Sequence, residues 1–118
     1  MKNILLPNLG KQTYVMGILN LTSDSFSGDG ILQKAKPIEA ALEQAHRFVQ
    51  DGAHILDLGA ESTRPGATPV SAQEEIGCLL PVMERLASEI PDALLSVDTY
   101  KAAVAQAALG SGARIIND

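Results

Sequence analysis

The chain has 118 residues with 9 Lys+Arg against 14 Asp+Glu, a formal net charge of −5, and this balance excludes the basic face that a general nucleic-acid or anionic-membrane binder needs. Hydrophobic residues at 46 % and charged residues at 19 % provide for a core and exclude a disordered chain. No apolar run nears the roughly 20 residues that span a bilayer, and the single cysteine, Cys78, excludes an internal disulfide and fits a reducing, cytoplasmic setting.

The first predicted element is a strand over 14–19, near-continuously apolar through Val15, Met16, Ile18 and Leu19, the pattern of a strand covered on both faces. The opening Met1 to Leu5 before it is followed by Pro7, Asn8 and Gly10 rather than a signal segment. A Gly- and Ser-rich loop from Asn20 to Gly30 comes next. From Ile38 the apolar residues Ala41, Leu42, Ala45, Phe48 and Val49 form one helical stripe, with Glu39, Glu43, Arg47 and Gln50 on the wet face. Pro37 suits the first turn of that helix and Gly52 its stop.

A second strand is predicted over 54–58 and a second loop over 60–69. Ser71 with Glu74 forms a capping-box signature for the next helix, whose stripe is Ile76, Leu79, Leu80, Met83, Leu86, Ala87 and Ile90. Pro81 interrupts it, so a kink or two consecutive short helices is expected. A third strand over 94–97, a short Ala-rich helix over 101–109 ended by Gly110-Ser111-Gly112, and a fourth strand over 114–116 complete the pattern. This β-α-β-α-β-α-β order predicts a parallel sheet with helical crossovers. A doubly wound sheet and a (β/α)8 barrel both satisfy it, and in each the ligand site lies at the carboxyl ends of the strands.

Polar residues collect at those ends: Asn20 after the first strand, Asp57 and then Glu61 at the second, Asp98 after the third, Asn117-Asp118 after the fourth. Singly, each has an ordinary explanation. Asp98 with Thr99 has even odds of capping the third helix, and Asp57 reads equally as a carboxylate bonded to loop backbone. Together they converge on one pocket. The loop Glu61-Ser62-Thr63-Arg64-Pro65-Gly66-Ala67 adds hydroxyls and a guanidinium suited to an anion such as phosphate, and neither GxGxxG nor GxxxxGK[ST] occurs. His46 reads as a surface or boundary residue, His54 as opening a strand at the opposite end, Cys78 as packing, and Lys101 as a solvated helix residue.

The stretches MGILNLTSDSFSGDG, GAHILDLGAESTRPGA and SVDTY…IIND together resemble the dihydropteroate synthase family, from about residue 14 to the end of the chain. ESTRPGA is the most specific of them; DTY and IND are shared with pterin-binding methyltransferase domains. The resemblance implies a (β/α)8 barrel that condenses 6-hydroxymethyl-7,8-dihydropterin pyrophosphate with p-aminobenzoate, giving 7,8-dihydropteroate and pyrophosphate in folate biosynthesis. It implies Asp98 and Asn117 as pterin-binding residues and Asn20 as a Mg2+ ligand beside the pyrophosphate. Thr63 and Arg64 are then pyrophosphate-binding, and Asp24, Phe26 and Pro65 belong to the aminobenzoate loops. It also implies a cytoplasmic homodimer. Where the family usually reads NVTPDSFSDGG, this chain has Leu21, Ser23 and Gly28-Asp29, and the absence of a proline at 23 is expected to leave that loop less rigid.

A (β/α)8 barrel takes about 200–250 residues, and four strands are predicted here. The chain is therefore expected to be the N-terminal half of a pterin-binding barrel, incomplete over 1–118 and inactive alone. In the family a further pterin-binding carboxylate, a lysine and an Arg–His pair lie on later strands. The two alternatives are a pterin-binding module of a methyltransferase and a non-catalytic half-barrel that self-associates through its exposed strand edges.

Overall fold

A computed structural model describes residues 6, 10–21, 37–61, 66 and 69–117. Four strands and three helices alternate: β1 (Met16–Asn20), α1 (Pro37–Gln50), β2 (Ile55–Gly59), α2 (Ala72–Glu89), β3 (Leu94–Asp98), α3 (Ala102–Gly110) and β4 (Ile115–Asn117). The strands pair in parallel in the order β1-β2-β3-β4. That order separates the two architectures the sequence allows. A doubly wound sheet reverses direction part-way and puts helices on both faces. Here every strand is added beside its predecessor, and right-handed crossovers then carry all the helices to one face, as in a (β/α)8 barrel.

The helix-facing side of the sheet is Leu19, Leu56, Leu58, Leu95 and Val97, all buried. Against it pack Ala41, Leu42 and Ala45 of α1, Leu79, Val82, Met83 and Leu86 of α2, and Val104 and Ala108 of α3. On α1 the buried and exposed positions are those the periodicity predicts, and the helix begins at Pro37. Gly52, at φ +104°, takes the left-handed turn after it. The capping box is formed: the Ser71 hydroxyl accepts from Glu74 N–H at 3.1 Å, and the Glu74 carboxylate accepts from Ser71 N–H at 3.2 Å.

Three expectations need correction. Of the two alternatives at Pro81, the pair of consecutive short helices is not found: α2 is one continuous element. Proline removes one backbone bond and presses on the carbonyl four residues back, and the burial of Leu79, Val82, Met83 and Leu86 on both sides of it offsets that cost. The buried stripe of α2 is also rotated from the predicted one, taking in Glu75 and Val82 and leaving Ala87 exposed. Finally, β1 is covered on one face only: Met16 and Ile18 are 40 % and 55 % exposed while Gly17 and Leu19 are buried, because the three helices lie on the opposite side of the sheet.

Candidate functional site

Parallel register fixes which residues share a face, since neighbours across strands point the same way and side chains alternate along each strand. Asn20 pairs with Gly59, and Asp98 with Asn117. The last rung of the sheet is therefore Asn20, Gly59, Asp98, Asn117, all on the face away from the helices and at the carboxyl edge. Each of β1, β2, β3 and β4 runs one residue past its predicted end, so these polar residues close the ladder rather than follow it. With strands about 4.8 Å apart, Asp98 and Asn117 are about 5 Å from one another and Asn20 lies about 10 Å from Asp98. Asn20, Asp98 and Asn117 are exposed.

Gly59, which motif reading passed over, is what spaces this row. A Cβ there would lie 3.7 Å from the Asp98 Cβ, so a larger side chain would occupy the gap between Asn20 and Asp98. One rung below, Ile18, Asp57, Ser96 and Ile115 are in register. The Ser96 hydroxyl donates to Asp57 Oδ1 at 2.7 Å, and both residues are buried. Asp57 is thus satisfied by a neighbouring strand rather than by loop backbone, and supports the row from beneath.

The N-cap position of α3 is not Asp98. The N-cap is Lys101, whose side chain makes no cap bond; instead Thr99 Oγ1 accepts from Lys101 N–H at 3.1 Å. Thr99 N–H donates to Asn117 O at 3.1 Å, which locks the ends of β3 and β4 together. The Asp98 side chain shares its face with Asn20, Gly59 and Asn117.

Glu61 and Lys101 depart from their expected roles. Glu61 turns away from the row: Oε2 accepts from Val70 N–H at 2.9 Å and from Lys101 Nζ at 3.0 Å. Lys101 is no solvated lysine, its side chain being 19 % exposed. Its ammonium also donates to Val70 O at 2.6 Å and to Glu75 Oε1, while Thr99 Oγ1 donates to Glu75 Oε2 at 3.3 Å. Val70 N–H, then Lys101, hold the Glu61 carboxyl below its ordinary range against a smaller effect of burial. Burial alone would lower the Lys101 pKa, but hydrogen bonds to Glu75 and Glu61 outweigh it and raise the value. The sequence did carry a signal for this cluster. Glu75 stands four residues before Leu79, on the buried stripe, and a carboxylate on an apolar helix face demands a cation.

The remaining expected residues, Thr63, Arg64, Asp24, Phe26 and Pro65, lie outside the described residues. Among the described residues there is no group of three or more His, Cys, Asp or Glu able to hold a metal ion and no helix long and apolar enough to cross a membrane. His54 is structural: Nδ1 accepts from Val15 N–H at 3.0 Å and its ring meets Tyr14 edge-on at 5.1 Å, at the amino end of the sheet. His46 is on the surface, 3.8 Å from Glu89. Cys78 packs beside the core, and burial raises its thiol pKa.

Comparison with known proteins bears on this geometry. The profile of the family described as "Pterin binding enzyme" matches residues 16–118. The chain is 52 % identical over 108 residues to dihydropteroate synthase of Bacillus subtilis (strain 168), an alignment covering 92 % of this chain and 36 % of that protein. It is 50 % identical over 110 residues to the mitochondrial folate synthesis bifunctional protein of Pisum sativum, covering 92 % of this chain and 21 % of the relative. Among solved structures it resembles the dihydropteroate synthase of Clostridium difficile determined in the presence of pteroic acid, with a TM-score of 0.81, 47 % identity, and 92 % and 40 % of the two chains covered. It also resembles the Xanthomonas albilineans enzyme with 4-aminobenzoic acid, with a TM-score of 0.77, 47 % identity, and 89 % and 38 % covered. The chain thus spans 40 % or less of each of these relatives.

Proposed function

Because the chain belongs to the pterin-binding enzyme family, we propose that it supplies the first four strands of a dihydropteroate synthase barrel. Such a barrel joins 6-hydroxymethyl-7,8-dihydropterin pyrophosphate to p-aminobenzoate in folate biosynthesis. The observation that carries the reading is the last rung of the sheet, with Asp98 and Asn117 side by side and Asn20 two strands away. A carboxylate beside a carboxamide meets the needs of one edge of a pterin. Asp98 accepts from the amino and ring N–H groups, and Asn117 offers both a donor and an acceptor. Asn20, about 10 Å from Asp98, is spaced to meet the pyrophosphate end. Three of the relatives reported above are dihydropteroate synthases, which favours this reading over a methyltransferase module.

Magnesium is part of the proposal. A single carboxamide oxygen at Asn20, with no carboxylate or His cluster among the described residues, fits a hard cation that takes most of its ligands from phosphate and water. When bound, the ion neutralises charge on the departing pyrophosphate. Asn20 would hold the oxygens of that group in place, and Thr63 and Arg64 would do the same from the second loop. Asp98 and Asn117 fix the ring so that the methylene carbon faces the aryl amine. The C–O bond breaks as pyrophosphate leaves with the electron pair, the amine nitrogen then bonds to the cationic methylene carbon, and the amine gives up a proton to solvent. Asp24, Phe26 and Pro65 are assigned to the aminobenzoate side. A homodimer in the cytoplasm completes the proposal; the unpaired Cys78 supports a reducing compartment, and sedimentation equilibrium tests the dimer.

The deciding experiment is Asp98→Asn in the complete barrel. Loss of a charge-assisted hydrogen bond predicts a fall in kcat/KM of about 10- to 100-fold. Because Asp98 is exposed, the thermal midpoint should stay close to that of the parent. Unchanged dihydropteroate formation by this variant would remove Asp98 from the site.

A further inference from the structure

We infer that Lys101 is a positioning residue for this site: its ammonium joins the two ends of segment 61–70 and fixes where that segment leaves and rejoins the sheet's carboxyl edge. The functional part of the inference rests on the reading proposed above, since the segment contains Thr63 and Arg64.

The geometry is that of a clamp. An ammonium has three N–H donors, and Lys101 Nζ has one acceptor for each: Glu61 Oε2 at 3.0 Å, Val70 O at 2.6 Å, and Glu75 Oε1. Glu61 and Val70 are also bonded to each other, through Val70 N–H and Glu61 Oε2 at 2.9 Å. Both backbone groups of Val70 are therefore captured, one by each charged side chain, and the start and finish of the segment meet at one point. The clamp is founded on rigid elements. Glu75 is 1 % exposed in the first turn of α2, and Thr99 Oγ1 donates to its second oxygen at 3.3 Å.

Position on α3 separates this role from an ordinary one. A cation at a helix N-terminus opposes the helix dipole, and Lys101 sits at the N-cap of α3 without capping it. Its side chain reaches across to the ends of another loop instead. Only Thr99 and Tyr100 separate Lys101 from Asp98, and Thr99 N–H bonds to Asn117 O. The rung of Asp98 and Asn117 and the anchor points Glu61 and Val70 are thus built on one short turn, so the clamp ties Glu61 and Val70 to the proposed ring-binding residues.

The test is made in the complete barrel with E75Q, K101M/E75Q and K101R. The double variant removes the ammonium together with the buried charge it neutralises, and E75Q alone is the stability reference. Relative to E75Q, the double variant should show KM for dihydropterin pyrophosphate raised about tenfold or more, since loss of uniform binding appears in KM rather than kcat. Its thermal midpoint should match that of E75Q within a few degrees, and amide exchange at Val70 should accelerate about tenfold. K101R keeps the charge but not the three-pronged geometry, so it should show a smaller KM rise of about threefold or more. A folded double variant with KM within twofold of E75Q overturns the inference. If the double variant does not fold, K101R with parental KM does so. A parent protein that makes no dihydropteroate overturns the functional reading instead. Val70 exchange then decides the clamp, and unchanged exchange in K101R and the double variant refutes it.

Discussion

At the scale of single residues, Gly59 illustrates how a side chain that is absent shapes a site. Its φ is not in the left-handed region, and a Cβ would meet the Asp98 Cβ at an ordinary 3.7 Å, so the backbone accepts a larger residue there. In the complete barrel proposed above, Gly59→Val should fold with a near-parental melting point, yet weaken binding of the pterin substrate about tenfold by filling the rung between Asn20 and Asp98. Equilibrium binding and a melting curve on the same preparation check both halves of that statement. Glu61 makes a second prediction. Its carboxyl is held below the ordinary value of 4.5 by Val70 N–H and Lys101. The stability it contributes is therefore fully present above about pH 4.5 and lost as pH falls through the lower folded value. A urea midpoint followed from pH 6 down to pH 3 should fall for the parent and fall less for Glu61→Gln. Equal slopes would mean the ion pair contributes nothing. The shared rung of Asn20, Asp98 and Asn117 was legible because each ends an apolar run. The Lys101 clamp was harder to find, because its partners at 61, 70 and 75 belong to a loop and a different helix, and only the misplaced charge of Glu75 hinted at it.

At the scale of elements, β1 and α1 approach each other closely. Gly17 faces Phe48, and a Cβ at 17 would stand 2.6 Å from Phe48 Cδ2 and 2.7 Å from Cγ. Gly17→Ala should cost about 1–3 kcal/mol through overpacking. Gly17→Ala/Phe48→Leu should recover part of that loss, measured as urea midpoints of the single and double variants; no recovery would place the strain elsewhere. Helix and strand identities follow from the sequence because apolar spacing differs between a period of 3.6 and a near-continuous run. The rotation of α2 does not. Its apolar residues fall on a broad arc, and the choice of Val82 over Ala87 as a buried position depends on where the β2–β3 surface lies, which no window of eighteen residues contains. The open face of β1 escaped prediction for the same reason, since a run such as Val15-Met16-Gly17-Ile18-Leu19 looks identical whether one face or both are covered.

At the scale of the whole molecule, one side of the sheet is closed by three helices and the other presents Met16 and Ile18 at 40 % and 55 % exposure. A barrel of this type fills that interior with side chains from strands on the far side. Residues 1–118 expressed alone should accordingly form no detectable dihydropteroate from dihydropterin pyrophosphate and p-aminobenzoate. Product above a host-enzyme blank would show that four strands suffice. Sequence alone left a doubly wound sheet and a barrel both open, because both share the β-α alternation; the strand order 1-2-3-4 is a long-range property that no local pattern encodes.

That order has a further consequence, for how the protein is made. Each strand pairs with the one synthesised just before it, about forty residues earlier for β2 and β3 and about twenty for β4. No pairing among these strands waits for a distant part of the chain, so loop-closure entropy stays low at every step. Emerging from the ribosome at about 5–20 residues per second, the sheet can grow one strand at a time, with the newest strand always forming its free edge. The last rung of the sheet is laid down in the same sequence, Asn20 first and Asn117 last.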